Sequence, residues 1–239
     1  MASPKTLEIV KATVPVLEEY GTAITTVFYK NMFNQHPELL DIFNETNQKL
    51  GRQQTALAMT VLAAAKHLDK LAVLLPQVTQ ISHKHRALQI LPEHYPIVGH
   101  HLIGAIKEVL GEAANDDIID AWTEAYDEIA DVFIQLEKTM YEQEMWEGFA
   151  PFKITKKVEA ATDIAAFTVV PVNDDIDLSK LSLSAGQYIT VKADPEDSDH
   201  LALRHYSLYS ATSDKGIQFA VRRDNRNEHY GLVSNHLHD

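Results

Sequence analysis

An all-α domain followed by an all-β domain is the fold class that this sequence predicts, and three observations predict it. Apolar residues recur at helical spacing through most of residues 4–142. After Trp146-Glu147-Gly148 the pattern changes to short alternating runs bounded by turn residues. The length, 239 residues, suits two ordinary domains. The expected organisation is a helical domain over 1–142, a linker over 143–150 and a β domain, a small barrel, over 151–239.

Each element has a local reason. Ser3-Pro4 reads as a helix start, with the Ser3 hydroxyl as cap and Pro4 in the first turn, where its missing N–H costs nothing. Pro37, Pro76, Pro92 and Pro96 punctuate the rest of the helical half, because a proline starts or stops a helix more readily than it continues one. Helical spacing is clear over Leu50–Leu68, Leu74–Ile90, Ile97–Leu110 and Ile118–Tyr141. Strands are expected over Phe152–Glu159, Ala165–Val172, Gln187–Ala193, Arg204–Ala211 and Ile217–Arg223. Asp194 to His200 forms an acidic loop, and no internal repeat or low-complexity tract interrupts the chain.

Composition narrows the function. With 21 basic against 34 acidic residues the formal charge is −13, which argues against a nucleic-acid partner. No run approaches the ~18 apolar residues of a membrane span. The start, Met1-Ala2-Ser3-Pro4, shows no secretory signal, so a cytoplasmic protein is expected. Cysteine is absent, which excludes disulfides, iron–sulfur clusters, thiolate-ligated haem and cysteine nucleophiles. A metal would have to use the 12 histidines, carboxylates or tyrosines.

Among the histidines, His85 stands out. It continues the apolar stripe Leu74, Val78, Ile81, Leu88, whereas His83 points about 200° away. A core-edge imidazole bonded to a carbonyl explains that pattern as well as a metal ligand does. His36, His67, His94, His100 and His101 read as surface or edge groups. Glu137 interrupts the apolar stripe Tyr126, Ala130, Phe133, Met140. If buried, its carboxylate needs a donor, for which Tyr95 or a histidine N–H can serve; otherwise it lies at the stripe edge in water. Gln53 and Leu57 share one helix face, and the plain reading of Gln53 is the edge of that apolar stripe; Tyr29 and Phe33 are another such pair, with core packing as the plain reading.

Taken together, these segments resemble the globin domain of the flavohaemoglobins. The matching pieces are Lys11-Ala12-Thr13-Val14-Pro15, Phe28-Tyr29, Met32-Phe33, Ile42-Phe43-Asn44 with Asn47-Gln48, Gly51, Gln53, Ala56-Leu57, Lys84-His85, Gln89-Ile90, Tyr95, Ile97-Val98-Gly99 and Ala121-Trp122. The resemblance covers residues 5–141 and implies haem b. It makes His85 the iron ligand, with Tyr95 and Glu137 beyond it and Glu137 accepting from the imidazole. It makes Tyr29 and Gln53 donors to bound dioxygen, packs Phe43 on the haem and uses Leu57 to shape the ligand pocket.

The β half carries a second set. Arg204-His205-Tyr206-Ser207 puts a cation, an aromatic and a hydroxyl on one strand, with Arg204 and Tyr206 sharing a face. Gly186-Gln187-Tyr188 adds an aromatic after a turn, and Gly231-Leu232-Val233-Ser234 reads as a helix start suited to phosphate. In this order the pieces resemble the FAD-binding barrel of the ferredoxin-reductase family, in its flavohaemoglobin version. The resemblance makes Tyr188, Arg204, His205, Tyr206 and Ser207 flavin contacts and Ser234 a pyrophosphate contact.

The resemblance implies a nitric oxide dioxygenase that turns nitric oxide and dioxygen into nitrate, an oxidoreductase using haem and FAD. In that family a nicotinamide-binding domain follows a complete barrel. No Gly-rich dinucleotide turn occurs in these 239 residues. The expectation is therefore a barrel incomplete at its C-terminus, no NAD(P)H site, and sustained turnover only with an external reductant or reductase domain. The alternative is a non-catalytic globin that binds dioxygen, nitric oxide or haem, or a truncated remnant.

Overall fold

The structure, a computed structural model, describes residues 2–43, 48, 50–212, 216–225 and 230–239. Asn44 and Asn47 of the quoted motif, and Met1, lie outside the described residues. The chain forms two compact units, residues 1–40 with 44–142 and residues 143–239 with 41–43.

The first unit is helical. Helix α1 (Pro4–Ala12) is capped by Ser3, whose side chain accepts from the Thr6 N–H. Thr13 separates it from α2 (Val14–Gln35), which again has a proline in its first turn. A 3-10 turn at Pro37–Asp41 precedes α3 (Arg52–Lys66), and a second 3-10 segment, Leu68–Leu74, leads into α4 (Leu75–Ala87). Helices α5 (His94–Leu110) and α6 (Asp116–Tyr141) complete the unit, and the Asn115 side chain caps α6 by accepting from the Ile118 N–H. Pro96 lies inside the first turn of α5, so that helix starts three residues before Ile97.

Two features fix how these helices pack. A Cβ at Gly99 of α5 would stand 2.5 Å from the Tyr126 ring of α6, so only glycine lets these helices meet here. Tyr95, Ala130 and Phe133 form a core cluster with Val78, Ile81 and Ile90. This is the interface that the stripes on α4 and α6 predict. Among the described residues no helix is long and apolar enough to cross a membrane.

The second unit holds an antiparallel five-stranded sheet in the order β1-β2-β5-β4-β3, and a short C-terminal helix. The strands are β1 (Phe152–Ala161), β2 (Ile164–Pro171), β3 (Tyr188–Ala193), β4 (Ala202–Thr212) and β5 (Gly216–Arg222), followed by α7 (Leu232–His238). The core is built from alternate residues of β2 and β5, Ala165, Phe167, Val169 with Ile217, Phe219, Val221, as a period of two requires. Gly216 has φ +85, and a Cβ there would stand 2.4 Å from the Val169 carbonyl oxygen, so the start of β5 needs glycine.

Candidate functional site

The site in the helical unit is built around the end of α4. The His85 Nδ1 lies 2.8 Å from Glu137 Oε1 and 3.2 Å from the Tyr95 hydroxyl. The Tyr95 hydroxyl in turn donates to Glu137 Oε2 at 2.8 Å. The three groups form a closed triangle from α4, α5 and α6. Glu137 is 2% exposed, so its two oxygens are satisfied by the two donors that its burial demands. Burial, and after it the charge of Glu137, raise the Tyr95 phenol well above its ordinary value, so this hydroxyl remains a donor.

The backbone under His85 is equally fixed. Gln89 takes the left-handed conformation, φ 59, and ends α4 in a Schellman arrangement. The Ile90 N–H donates to the His85 carbonyl at 3.0 Å and the Gln89 N–H to the Arg86 carbonyl at 3.0 Å. Helix α6 also holds this corner from outside. The Tyr141 hydroxyl donates to the Ile90 carbonyl at 2.6 Å, and the Tyr126 hydroxyl to the Tyr95 carbonyl at 2.6 Å. The His85 ring packs on Phe133 with centroids 5.6 Å apart.

Tyr29, Gln53 and Leu57 come from α2 and α3. Thr25 is 2% exposed and its hydroxyl donates to the Gln54 carbonyl at 2.9 Å, tying the start of α3 to α2 one turn before Tyr29. Tyr29 is 8% exposed, with its ring against Phe28 and Phe33. Burial raises its phenol well above the ordinary range, so it too stays a donor. Gln53 and Leu57 are half-buried on α3, and Phe43 is half-buried in a bend. A small pocket of about 30 Å³ lies between α3, α4 and α6, lined by Thr60, Ala63, Val78, Ile81, Val132 and Phe133 among others.

These residues fit a haem. Nδ1 of His85 is committed to the carboxylate, so Nε2 is the nitrogen that can carry a lone pair for iron. Among the described residues Nε2 makes no hydrogen bond, and the side chain is 30% exposed. A hydrogen bond from the far nitrogen to a buried carboxylate is the arrangement that fixes tautomer and ring orientation in metal-ligating histidines. Val78, Ile81 and Phe133, near the His85 ring, line a mostly apolar wall of the kind that suits a macrocycle.

In the sheet unit, register decides which flavin candidates meet. Tyr188 pairs with Ser207 and Thr190 with His205 across β3 and β4, so these four share one face. The Tyr188 and His205 rings are 4.9 Å apart, and His205 Nδ1 is 2.9 Å from the Thr190 hydroxyl. Tyr206 pairs with Ile189, and Arg204 with Val191, on the opposite face. There Tyr206 stacks on Phe219 at 5.5 Å, and burial pushes its phenol up to about 12. Arg204 donates to the Leu203 carbonyl at 2.8 Å. The structure thus keeps Arg204 and Tyr206 together, as alternation predicts, and places them away from Tyr188, His205 and Ser207. Ser234 is 9% exposed; its hydroxyl donates to the Gly231 carbonyl at 2.9 Å and accepts from the Asp224 N–H at 3.1 Å.

One histidine departs from expectation. His101 is 4% exposed, not a surface or edge group. It lies against His36 and His100 with centroids 5.4 and 5.2 Å away, and burial lowers its pKa. Its position one residue before Leu102 on the most apolar helix of the unit was the available signal. Tyr126 and Tyr141 were also missed as site residues, although Tyr141 follows Glu137 by one helical turn.

Comparison with known proteins finds a known domain in each of the two parts of the chain. The Globin family model matches residues 26–133, and the Oxidoreductase FAD-binding domain model matches residues 151–239. The protein is therefore of the two-domain class that joins a globin to a flavin-binding oxidoreductase module. The Flavohemoprotein of Oceanobacillus iheyensis is 49% identical over 239 residues, covering 98% of this chain and 58% of that protein. The structure of the Malassezia yamatoensis flavohemoglobin with bound FAD and heme matches at 30% identity and TM-score 0.82, covering 98% of this chain and 61% of that one. A bacterial globin from Campylobacter jejuni matches at 38% identity and TM-score 0.57, covering 59% of this chain and 100% of that one. The chain belongs to the flavohaemoglobin family. It spans 58–60% of the length of the curated relatives that it matches.

Proposed function

We propose that this chain holds haem b through His85 and FAD on β3 and β4, and that it serves the oxidation of nitric oxide to nitrate by dioxygen. The observation that carries the reading is the buried triangle of His85, Glu137 and Tyr95. Bound haem would supply the iron at which the two gases react, and bound FAD would relay electrons to it one at a time. The proposed setting is the cytoplasm, with dioxygen, nitric oxide and an external reductant as partners.

The chain's own residues have defined tasks. Glu137 accepts a hydrogen bond from the Nδ1–H of His85 and would make the imidazole a stronger electron donor to iron. Tyr95 holds the second oxygen of Glu137, so the carboxylate cannot turn away. Tyr29, kept protonated by burial, and Gln53 present O–H and N–H donors to negative charge developing on bound dioxygen. Leu57 narrows the approach. On the sheet, Tyr188 offers its exposed ring to a flat flavin on the open face of β3 and β4.

The test is a single turnover. The chain is loaded with haem and FAD, reduced chemically, mixed with dioxygen and then with nitric oxide, and nitrate is measured. One nitrate per haem is expected. Full haem loading without nitrate would favour a gas carrier instead. His85→Ala should lose haem on gel filtration, and normal retention would refute the ligand assignment.

A further inference from the structure

Three glutamine side chains form a directed relay at the start of α3. Gln54 Nε2 donates to the Gln48 backbone carbonyl at 3.3 Å and to Gln48 Oε1 at 2.9 Å. Gln48 Nε2 donates to Gln53 Oε1. Amide orientations are fixed by such networks, because the nitrogen end only donates and the oxygen end only accepts. Here the network has one solution. A backbone carbonyl only accepts, so the Gln54 atom facing it is Nε2. The Gln48 atom facing that nitrogen must then be Oε1. Its other end, Nε2, meets Gln53, which must answer with Oε1. What Gln53 has left is its NH2 group, which makes no hydrogen bond to any described residue. The arrangement leaves Gln54 Oε1 buried with no partner among the described residues, and reversing the relay would only put Nε2 there while setting Oε1 against the Gln48 carbonyl. The contact to the Gln48 carbonyl is what opposes reversal.

We propose that Gln48 and Gln54 are positioning residues that set the polarity of the ligand pocket, by making Gln53 a hydrogen-bond donor and not an acceptor toward a bound diatomic gas. This rests on the proposed placement of Gln53 beside the bound gas. A donor stabilises a polar, partly negative ligand such as dioxygen, whereas an amide oxygen in the same place would repel it. Selection for dioxygen is thereby decided by two side chains that need not touch the gas.

The experiment uses carbon monoxide on the ferrous holoprotein and reads the infrared C–O stretch. A donor near the ligand oxygen lowers this frequency; an acceptor raises it. In Gln48→Glu the new carboxylate only accepts, so it still takes the Gln54 bond but forces Gln53 to turn its NH2 inward and its oxygen to the ligand. The band should move up, and dioxygen release should quicken by roughly tenfold, the scale of one lost hydrogen bond. Gln54→Leu removes the lock and should split the band into two populations. Gln53→Leu is the control. If it shifts the band while Gln48→Glu and Gln54→Leu leave it at the wild-type frequency, the relay is overturned and the placement of Gln53 stands. If Gln53→Leu has no effect either, the placement itself fails and takes the relay with it.

Discussion

The two sites are made in opposite ways. In the helical unit His85 is held by side chains from two other helices, and its carboxylate partner is 2% exposed. In the sheet unit, Tyr188 is 36% exposed, and Ser207 and His205 lie on the same open face. The first site is part of the core and the second is laid on a surface. Substitutions in the first should therefore cost folding stability as well as cofactor binding. Substitutions on the open face of the second should cost binding alone.

The sharpest way to break this contrast is Glu137→Leu. It removes the acceptor of both the His85 N–H and the Tyr95 hydroxyl; the imidazole keeps only the Tyr95 oxygen, 3.2 Å away, and the Tyr95 O–H is stranded. Such a group costs about 1–3 kcal/mol, and a loss of that size is expected. Urea unfolding followed by far-ultraviolet circular dichroism checks it. A loss below about 0.5 kcal/mol would show that the triangle contributes little to the fold.

Alkaline pH supplies the next contrast. Burial raises the phenols of Tyr29, Tyr95 and Tyr126 in the helical unit above their ordinary value of 10.0. These groups stay protonated in the folded chain where the unfolded chain ionises. Above about pH 10 the unfolded state binds fewer protons, so stability falls as pH rises, and below that it is fully present. In the sheet unit Tyr206, pushed up to about 12, acts in the same sense. Unfolding monitored between about pH 8 and pH 12 should show a flat region and then a decline, with Tyr95→Phe making the decline shallower. A decline of unchanged slope would mean that Tyr95 ionises without hindrance.

Much of the helical site was legible in the sequence, because each half of it disturbs a periodic pattern. His85 continues an apolar stripe where a Leu would serve, and Glu137 breaks one. A buried carboxylate requires donors, so its partners could be limited to Tyr95 or a histidine before the fold was known. The structure supplies both at once. What stayed hidden depends on contacts that no local pattern encodes. The Tyr141 bond to Ile90 spans 51 positions, and Gln89 adopts a conformation usually left to glycine. The glutamine relay depends on side-chain ends, which sequence does not orient. On the sheet, alternation correctly joined Arg204 to Tyr206, but the same alternation separates them from Tyr188, whose face is set by pairing with Ser207.

The Tyr141 bond gives a finer test on the helical side. Tyr141→Phe removes one hydroxyl from the corner beyond His85 and leaves the triangle in place. A cost of about 1 kcal/mol is expected, as for one hydrogen bond. Amide hydrogen exchange should quicken at Gln89–Tyr95 and remain slow in the middle of α6. Exchange that quickens evenly along the whole unit would mean that the bond merely adds to global stability and does not hold this corner.

The smallest stability effect belongs to the sheet. Tyr188→Ala removes a ring that already stands largely in solvent, paired across the strand with a serine and resting on His205. Exposed substitutions of this kind change stability by about 0.5 kcal/mol or less. If the ring stacks on the flavin, however, its loss should weaken FAD binding by roughly tenfold, since a stacked aromatic pair is worth about 1 kcal/mol beyond the area it buries. Fluorescence titration of FAD and thermal unfolding of the same sample separate the two. Weaker binding at unchanged stability places the flavin on the open face. Unchanged binding would assign that face another role and leave Arg204 and Tyr206, on the opposite side of β4, as the contacts that hold it.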